Sequence, residues 1–266
     1  MYVNWSSHFN NKLGYATSLV SSTDSYSVEN YQKTCDSPSP GARRMVSVDN
    51  VLFGCEVSQL KVLLIKHASG KTAGYWGLPG DWLRDNETLE HGAIRVLRAS
   101  TGLGNIHLEQ LQSFSSIDRY PDDLTITTAF YALIRPDDYQ LALGEDELEV
   151  KWFPIEETPI LIFDHDKILK WALTRLRYKT QHEPFGLHLL PEKFTLLELQ
   201  RLYESILGMS FDKPNFRRKI MKAGLLLDCN EKQLGGAHRA ASLFKFNPCR
   251  YQQLSKEGLM RYNSII

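Results

Sequence analysis

In the first two thirds of the chain, the apolar residues are spaced as in β-strands in four segments and as in α-helices in two. Four runs rich in β-branched and aliphatic residues predict strands: Val46–Gly54, Leu60–His67, Thr125–Ile134 and Val150–Phe153. The first two are close enough to form a hairpin around Glu56–Gln59. Helical spacing covers Leu89–Ala99, which Gly102 ends, and Asp164–Thr180, for which Asp164 is the expected cap. The predicted apolar face of this second helix comprises Ile168, Trp171 and Leu176.

A second group of elements begins near residue 193. In the sequence Phe-Thr-Leu-Leu-Glu-Leu, Thr195 and Glu198 have the spacing of a capping box, and Phe194 and Leu199 have that of a hydrophobic staple. The helix ends at Gly208, and its predicted apolar face comprises Leu199, Leu202, Tyr203 and Ile206. After a short turn, Asp212 and Pro214 predict the start of another helix.

This next helix carries a basic stripe and is followed by a basic hairpin. Its apolar face comprises Phe216, Ile220 and Ala223, and the stripe comprises Asn215, Arg218, Lys219 and Lys222. The strand-like runs Leu225–Cys229 and Ala241–Phe246 flank a polar segment that predicts the wing of a winged helix-turn-helix. An isolated stripe is more often a solvated helix face, but this order of elements favours DNA binding. The predicted DNA contacts are Asn215, Arg217, Arg218, Lys219, Lys222, His238, Arg239 and Lys245.

Composition divides the chain into four segments. Residues 1–44 are rich in Ser, Asn and Thr and are predicted to be a mobile extension. Residues 45–181 form one domain, residues 182–192 a linker, and residues 193–266 the DNA-binding domain. The net charge is zero, yet residues 186–266 contain 13 Lys and Arg against 7 Asp and Glu. A basic third on an acidic body favours a polyanion-binding module.

The sequence argues against membrane insertion, secretion and zinc binding. No apolar run is long enough to span a membrane, and the polar N-terminus does not resemble a secretory signal. The cysteines form no Cys-x-x-Cys pair, which argues against a zinc ribbon or a disulfide framework: Cys35, Cys55, Cys229 and Cys249. We therefore expect a cytoplasmic protein with no membrane partner and no bound cofactor.

Residues 80–103, GDWLRDNETLEHGAIRVLRASTGL, resemble a Nudix box that has lost its catalytic acids. The frame of the box fits at Glu87, Arg95, Leu97, Gly102 and Leu103. Asp81 stands at the opening glycine, and the acids that bind Mg²⁺ or Mn²⁺ in Nudix enzymes are replaced by Val96, Ala99 and Ser100. The resemblance implies a Nudix-like α/β/α sandwich over roughly residues 45–180 that is not an enzyme. Glu87 is then expected to pair with Arg95.

The C-terminal segments FTLLELQRLYESILG, DKPNFRRKI and SLFKFN are similar to the winged helix of the Nudix-related transcriptional regulators. These bacterial proteins join a Nudix-like domain, often inactive, to a C-terminal winged helix. The implied fold class is α/β (α+β), with a Nudix-like sandwich followed by a small winged helix-turn-helix domain. The implied function is that of a homodimeric repressor that binds double-stranded operator DNA and senses a small effector.

The resemblance implies two possible effectors. One branch of the family senses ADP-ribose and governs NAD metabolism, and another senses arabinose and governs sugar use. The segments FTLLELQRLYE, SLFKFN and LIFDHDKIL favour the arabinose branch. The leading hypothesis is therefore a repressor of carbohydrate metabolism that responds to L-arabinose or a related sugar. The alternatives are an ADP-ribose-responsive regulator, a residual Nudix pyrophosphohydrolase with a nucleic-acid-binding appendage, and a scaffold whose winged helix binds protein.

Charge also favours a sugar in the sequence-based hypothesis. Residues 1–185 contain 24 acidic and 18 basic residues, so without a metal they are expected to repel a diphosphate. Sugar hydroxyls bond readily to carboxylates, and aromatic faces suit a sugar ring. The candidate effector contacts are Trp76, Trp82, Asp118 and Arg119. The alternatives are a structural ion pair between Asp118 and Arg119, and packing of the tryptophans in the core or a lid.

Overall fold

In a computed structural model, which describes residues 45–56, 59–120, 124–233 and 240–256, a seven-stranded sheet lies between two helices and a small helical domain follows. The sheet and its helices are β1 (Met45–Glu56), β2 (Gln59–His67), β3 (Trp76–Gly77), β4 (Gly80–Trp82), α1 (Leu89–Thr101), β5 (Glu109–Phe114), β6 (Thr125–Ile134), β7 (Glu147–Pro154) and α2 (His165–His182). The helical domain comprises β8 (Phe194–Thr195), α3 (Leu196–Leu207), α4 (Lys213–Ala223), β9 (Leu226–Lys232), β10 (Ser242–Phe246) and α5 (Pro248–Lys256). The predicted extension, residues 1–44, lies outside the described residues.

Strands β1 and β6 form the parallel centre of the sheet, whose order is β3-β2-β1-β6-β5. Strand β4 pairs with β1, and β7 pairs with β2, both in antiparallel fashion. Side chains of β1 alternate between the two faces: Val51 and Phe53 pack with α2, whereas Leu52 packs with α1. Because helices cover both faces, the two central strands carry continuous buried apolar runs, residues 51–53 in β1 and 129–134 in β6. The α/β/α sandwich implied by the resemblance is confirmed.

Both helices of the sandwich begin at or next to their predicted first residues. The Thr88 side chain accepts a hydrogen bond from the His91 amide at 3.3 Å and caps α1, and Gly102 ends it with φ of +73°. Asp164 lies at the N-cap of α2, but its side chain makes no cap hydrogen bond. The prediction for Trp171 was wrong, since this residue is 54% exposed and the buried face of α2 comprises Ile168, Leu169, Ala172 and Leu176.

The helical domain has the predicted winged-helix order of elements. Thr195 accepts from the Glu198 amide at 3.2 Å, and Glu198 accepts from the Thr195 amide at 2.7 Å, so the capping box is confirmed. Asp212 caps α4 by accepting from the Asn215 amide at 3.0 Å. Strands β8, β10 and β9 form a three-stranded sheet in that order.

Helix α3 is buried on two sides. Leu202 and Ile206 belong to the core of the sandwich, whereas Leu199, Tyr203 and Leu207 pack in the core of the winged helix. In the segment predicted as a linker, Leu189 is also buried in the core of the sandwich. The two domains therefore meet through a shared helix. None of the described helices is both long and apolar enough to cross a lipid bilayer.

Candidate effector cavity and DNA-binding helix

A cavity of about 800 Å³ opens beside α1, the helix within the segment that resembles a Nudix box. It lies where residues of β1 and β4, the C-terminal half of α1, the segment around Arg119 and the start of α2 converge. Its lining combines a helix face, a charged cluster and a group of aromatic rings. The charged cluster and the aromatic group each bring together residues that are distant in the sequence, whereas the helix face comes from neighbouring residues of α1.

The helix face is formed by Val96, Ala99 and Ser100, the three residues at the positions of the missing acids. The first two carry no oxygen in their side chains. The Ser100 hydroxyl donates to the Val96 carbonyl at 2.9 Å and is therefore already engaged within the helix. Divalent cations such as Mg²⁺ need several oxygen ligands. This face of α1 does not fit the metal that the Nudix fold implies.

Arg95 holds the rim of the cavity together. Its guanidinium donates to both carboxylate oxygens of Glu87 at 3.0 and 2.7 Å, to Asp81 at 3.0 Å and to the Trp82 carbonyl at 2.9 Å. The hydrogen bonds from Arg95, and after them one from the Arg84 amide, lower the pKa of Glu87 to about 2. The predicted pairing of Glu87 with Arg95 is confirmed.

The charged cluster is centred on Arg119, which is almost completely buried. Its Nε and Nη2 atoms donate to the two carboxylate oxygens of Asp164 at 3.1 and 2.9 Å, and Nη1 donates to the Thr127 hydroxyl. Because this bidentate interaction engages both oxygens of the Asp164 carboxylate, the Asp164 side chain does not cap α2. The carboxylate of Asp49 lies 3.9 Å from Nη2 of the same arginine.

Asp49 and His165 face each other beside Arg119. The Nδ1 atom of His165 accepts a hydrogen bond from the Leu78 amide at 2.9 Å, so the neutral ring carries its proton on Nε2. This Nε2 lies 3.7 Å from the Asp49 carboxylate. Burial raises the pKa of Asp49, and electrostatic attraction to His165 and Arg119 opposes that rise. A Cβ at position 80 would lie 2.0 Å from Asp49 Oδ1, so a larger residue in place of Gly80 would displace the Asp49 carboxylate.

Three aromatic rings form another side of the cavity. The ring centroids of Trp82 and Tyr120 are 5.5 Å apart in an edge-to-face arrangement, and those of Tyr120 and Phe163 are 4.6 Å apart. Phe163 has φ of +48°, in the left-handed region that a bulky residue rarely adopts. Together the rings offer an apolar surface next to the charged cluster.

Two of the four predicted effector contacts, Trp82 and Arg119, line the cavity. Trp76 instead packs edge-on against Phe153 at 4.8 Å, as its alternative interpretation proposed. Asp118 is exposed and lies outside the lining. The suggested ion pair between Asp118 and Arg119 is wrong, because Arg119 binds Asp164.

Sequence reasoning missed several residues of the cavity, namely Asp49, Tyr120, Phe163 and His165. Asp49 gave the clearest available signal, since it is the one charged residue within the predicted strand Val46–Gly54. Such a residue is seldom buried without a partner or a function.

The DNA-binding prediction concerns α4, an 11-residue helix. Phe216 and Ile220 are buried, and the opposite surface exposes Asn215, Arg217, Arg218, Lys219 and Lys222. A guanidinium nitrogen of Arg218 donates to the Asn215 side-chain oxygen, so these two residues present a joint polar surface. Lys245 is exposed on β10, whereas His238 and Arg239 lie outside the described residues.

Comparison with known proteins identifies both domains. Residues 43–172 match the family described as NUDIX domain, and residues 186–246 match the one described as NrtR DNA-binding winged helix domain. The chain is 34% identical over 220 residues to a protein of Acinetobacter baylyi named ADPR responsive transcriptional repressor NtrR, covering 81% of this chain and 85% of that one.

Crystal structures of Shewanella oneidensis NrtR are similar over both domains. The structure of the protein alone shares 32% identity and a TM-score of 0.63, covering 78% of this chain and 96% of that one. Its complex with a 27mer DNA shares 30% identity and a TM-score of 0.61, covering 78% of this chain and 95% of that one.

These findings correct the choice of branch made from the sequence. The sugar-responsive hypothesis was wrong, because the relative that matches both domains is named for its response to ADPR and the winged helix matches the NrtR type. The argument from charge failed because a count over a whole domain does not determine the ligand of one site: the cavity is lined by Arg84, Arg95 and Arg119 as well as by acids. The chain belongs to the NrtR family of regulators, in which a Nudix domain is followed by a DNA-binding winged helix.

Proposed function

We propose that this protein is a transcriptional repressor that ADP-ribose releases from its operator. The observation that carries the proposal is the likeness to the Acinetobacter baylyi repressor, which extends over 81% of this chain and thus over both the cavity and the DNA-binding helix. A likeness confined to the Nudix fold would not distinguish a regulator from a hydrolase.

The cavity has the size and the chemical variety that ADP-ribose requires. Its volume of about 800 Å³ lies in the upper part of the range of about 300–1,000 Å³ that is usual for small-molecule sites. Arg84 lines the cavity and offers a guanidinium to a diphosphate, and Arg95 lines it as well, although Glu87 and Asp81 pair with its guanidinium. The rings of Trp82, Tyr120 and Phe163 supply a surface against which an adenine can pack.

In this proposal the effector is bound and not cleaved. Hydrolysis of a diphosphate on a Nudix fold relies on metal ions held by the box helix. Val96 and Ala99 offer no ligand there, and the Ser100 hydroxyl donates within the helix. Glu87, the acid that remains in the frame of the box, is held by Arg95.

The DNA-binding part of the proposal assigns α4 to the major groove. Its exposed amide and guanidinium groups suit base edges, and its lysines suit phosphates. We include the homodimer in the proposal, since two winged helices related by a two-fold axis would bind half-sites one helical turn or a multiple apart. His238 and Arg239 of the wing remain predicted backbone contacts.

The test is a fluorescence-anisotropy titration of the full chain with labelled duplexes that it selects from a random pool. We expect enrichment of an inverted repeat, affinity that falls steeply with salt, and release of the duplex by ADP-ribose. L-Arabinose serves as the control and should not release it. Failure to enrich any duplex would refute the DNA-binding assignment, and a selected duplex that ADP-ribose leaves bound would refute the effector assignment.

A further inference from the structure

Asp49 is an unusual residue for the floor of a cavity that is to bind an anion. Its side chain is only 7% exposed, and it lies on the central strand of the sheet. Among the residues that the structure describes, no donor comes within hydrogen-bonding distance of its carboxylate; Arg119 Nη2 at 3.9 Å and His165 Nε2 at 3.7 Å are too far. A buried carboxylate without hydrogen bonds is costly unless a ligand supplies them.

The donors around Asp49 are held in place by other groups. Asp164 and Thr127 fix the guanidinium of Arg119, and the Leu78 amide fixes the ring of His165 with its Nε2 proton toward Asp49. None of these residues can move toward Asp49 without losing a hydrogen bond. The spacing of 3.7–3.9 Å is therefore built into the fold.

The gap between the Asp49 carboxylate and these two donors can be bridged by one polar atom of a ligand. An oxygen placed beside the gap can lie about 2.8 Å from the Asp49 carboxylate and at the same distance from Nε2 of His165 or Nη2 of Arg119. To bond both sides, that oxygen must donate to Asp49 and accept from the cation or the imidazole. A hydroxyl does both, whereas a phosphate oxygen only accepts and would face a negative charge.

We propose that Asp49, His165 and Arg119 form a hydroxyl-recognition site that binds a ribose of ADP-ribose and excludes its diphosphate. The inference rests on the proposed function and adds the orientation of the effector. The ribose lies at the floor next to Asp49, and the diphosphate lies toward Arg84 and Arg95 at the rim. Asp49 would thus determine which end of the bound ligand lies at the floor of the cavity.

The experiment is isothermal calorimetry of the full chain with ADP-ribose, comparing wild type with Asp49→Asn. If Asp49 binds a hydroxyl, loss of the charged acceptor should weaken binding about 10- to 100-fold. If Asp49 faces a phosphate, removal of the like charge should strengthen binding. An unchanged or a tighter affinity would overturn the inference, so the sign of the effect decides it.

A second cavity variant and a control variant distinguish a loss of ADP-ribose binding at this site from a loss of folding. His165→Asn places an amide oxygen near the position of Nδ1, which can still accept from the Leu78 amide, but it removes the Nε2–H donor. It should also weaken ADP-ribose binding, by about 3- to 30-fold. Asp166→Asn removes a neighbouring exposed carboxylate outside the cavity and should bind like wild type. Melting curves establish that each variant is folded.

Titration with ADP identifies the ribose. If Asp49 binds the ribose that ADP lacks, Asp49→Asn should leave the affinity for ADP unchanged. If it binds the adenosine ribose, the affinity for ADP should fall by the same factor, and that for 2′-deoxy-ADP should not. Wild type that binds no ADP-ribose would refute the proposed function and this inference together. Wild type that binds it, with Asp49→Asn unimpaired, would refute the inference alone.

Discussion

Replacing Ile206 by alanine tests whether the Nudix domain and the winged helix share one core. Ile206 lies on α3 and is 0% exposed. It packs in the core of the Nudix domain with Leu176 and Leu202, while Leu199 of the same helix packs in the core of the winged helix. A substitution at Ile206 should therefore destabilise both domains.

The magnitude follows from the buried side chain. The substitution removes three carbon atoms, which at about 0.8 kcal/mol each corresponds to about 2.4 kcal/mol of lost transfer free energy. The space left in a closed core adds a further term, so we expect the free energy of unfolding to fall by about 3–4 kcal/mol. Arg201→Ala, on the exposed side of the same helix, should change it by less than about 0.5 kcal/mol.

Urea unfolding followed by tryptophan fluorescence and circular dichroism is the assay. All five tryptophans precede the winged helix: Trp5, Trp76, Trp82, Trp152 and Trp171. Fluorescence therefore reports on the N-terminal part of the chain, whereas circular dichroism reports on the helices of both domains. We expect Ile206→Ala to move both transitions to lower urea by the same amount. A fluorescence transition that stays at the wild-type midpoint would show that the domains unfold independently and would refute the shared core.

Three further predictions concern DNA, pH and catalysis. The triple replacement of Arg218, Lys219 and Lys222 by alanine should abolish selection of the operator in gel shifts, since each base contact contributes about 1–3 kcal/mol of discrimination; unchanged affinity would exclude α4. Burial raises the pKa of Asp49 above its unfolded value, so the folded state disfavours the ionised form and loses stability as pH rises through the folded pKa. Asp49→Asn should consequently melt higher than wild type at about pH 8, and the difference in melting temperature should shrink as the pH is lowered to about 4, near the unfolded pKa of Asp. An equal difference at both pH values would contradict this. Incubation with ADP-ribose and Mg²⁺, followed by chromatography, should give no turnover; a rate near ~1 s⁻¹ would show an active enzyme.

Elements with strong local signals were predicted well. The caps at Thr195 and Asp212 and the helix end at Gly102 depend on hydrogen bonds or backbone angles within a few residues. Strand β5, Glu109–Phe114, was missed because its sequence EQLQSF is polar, and it forms an edge of the sheet beside β6. Trp171 was assigned to the wrong face because apolar character alone does not fix which side of a helix packs.

The sequence by itself determined the loss of the metal-binding acids and the basic surface of α4. Both depend on which residues stand at successive positions of one helix, so a local pattern is sufficient. Only the tertiary structure decided that Arg119 binds Asp164, 45 positions away, and that Asp49 faces His165 across the cavity. It also decided that α3 contributes to two cores. Periodicity shows that a side chain is buried, but the order of strands and the packing of helices determine which distant residue it meets.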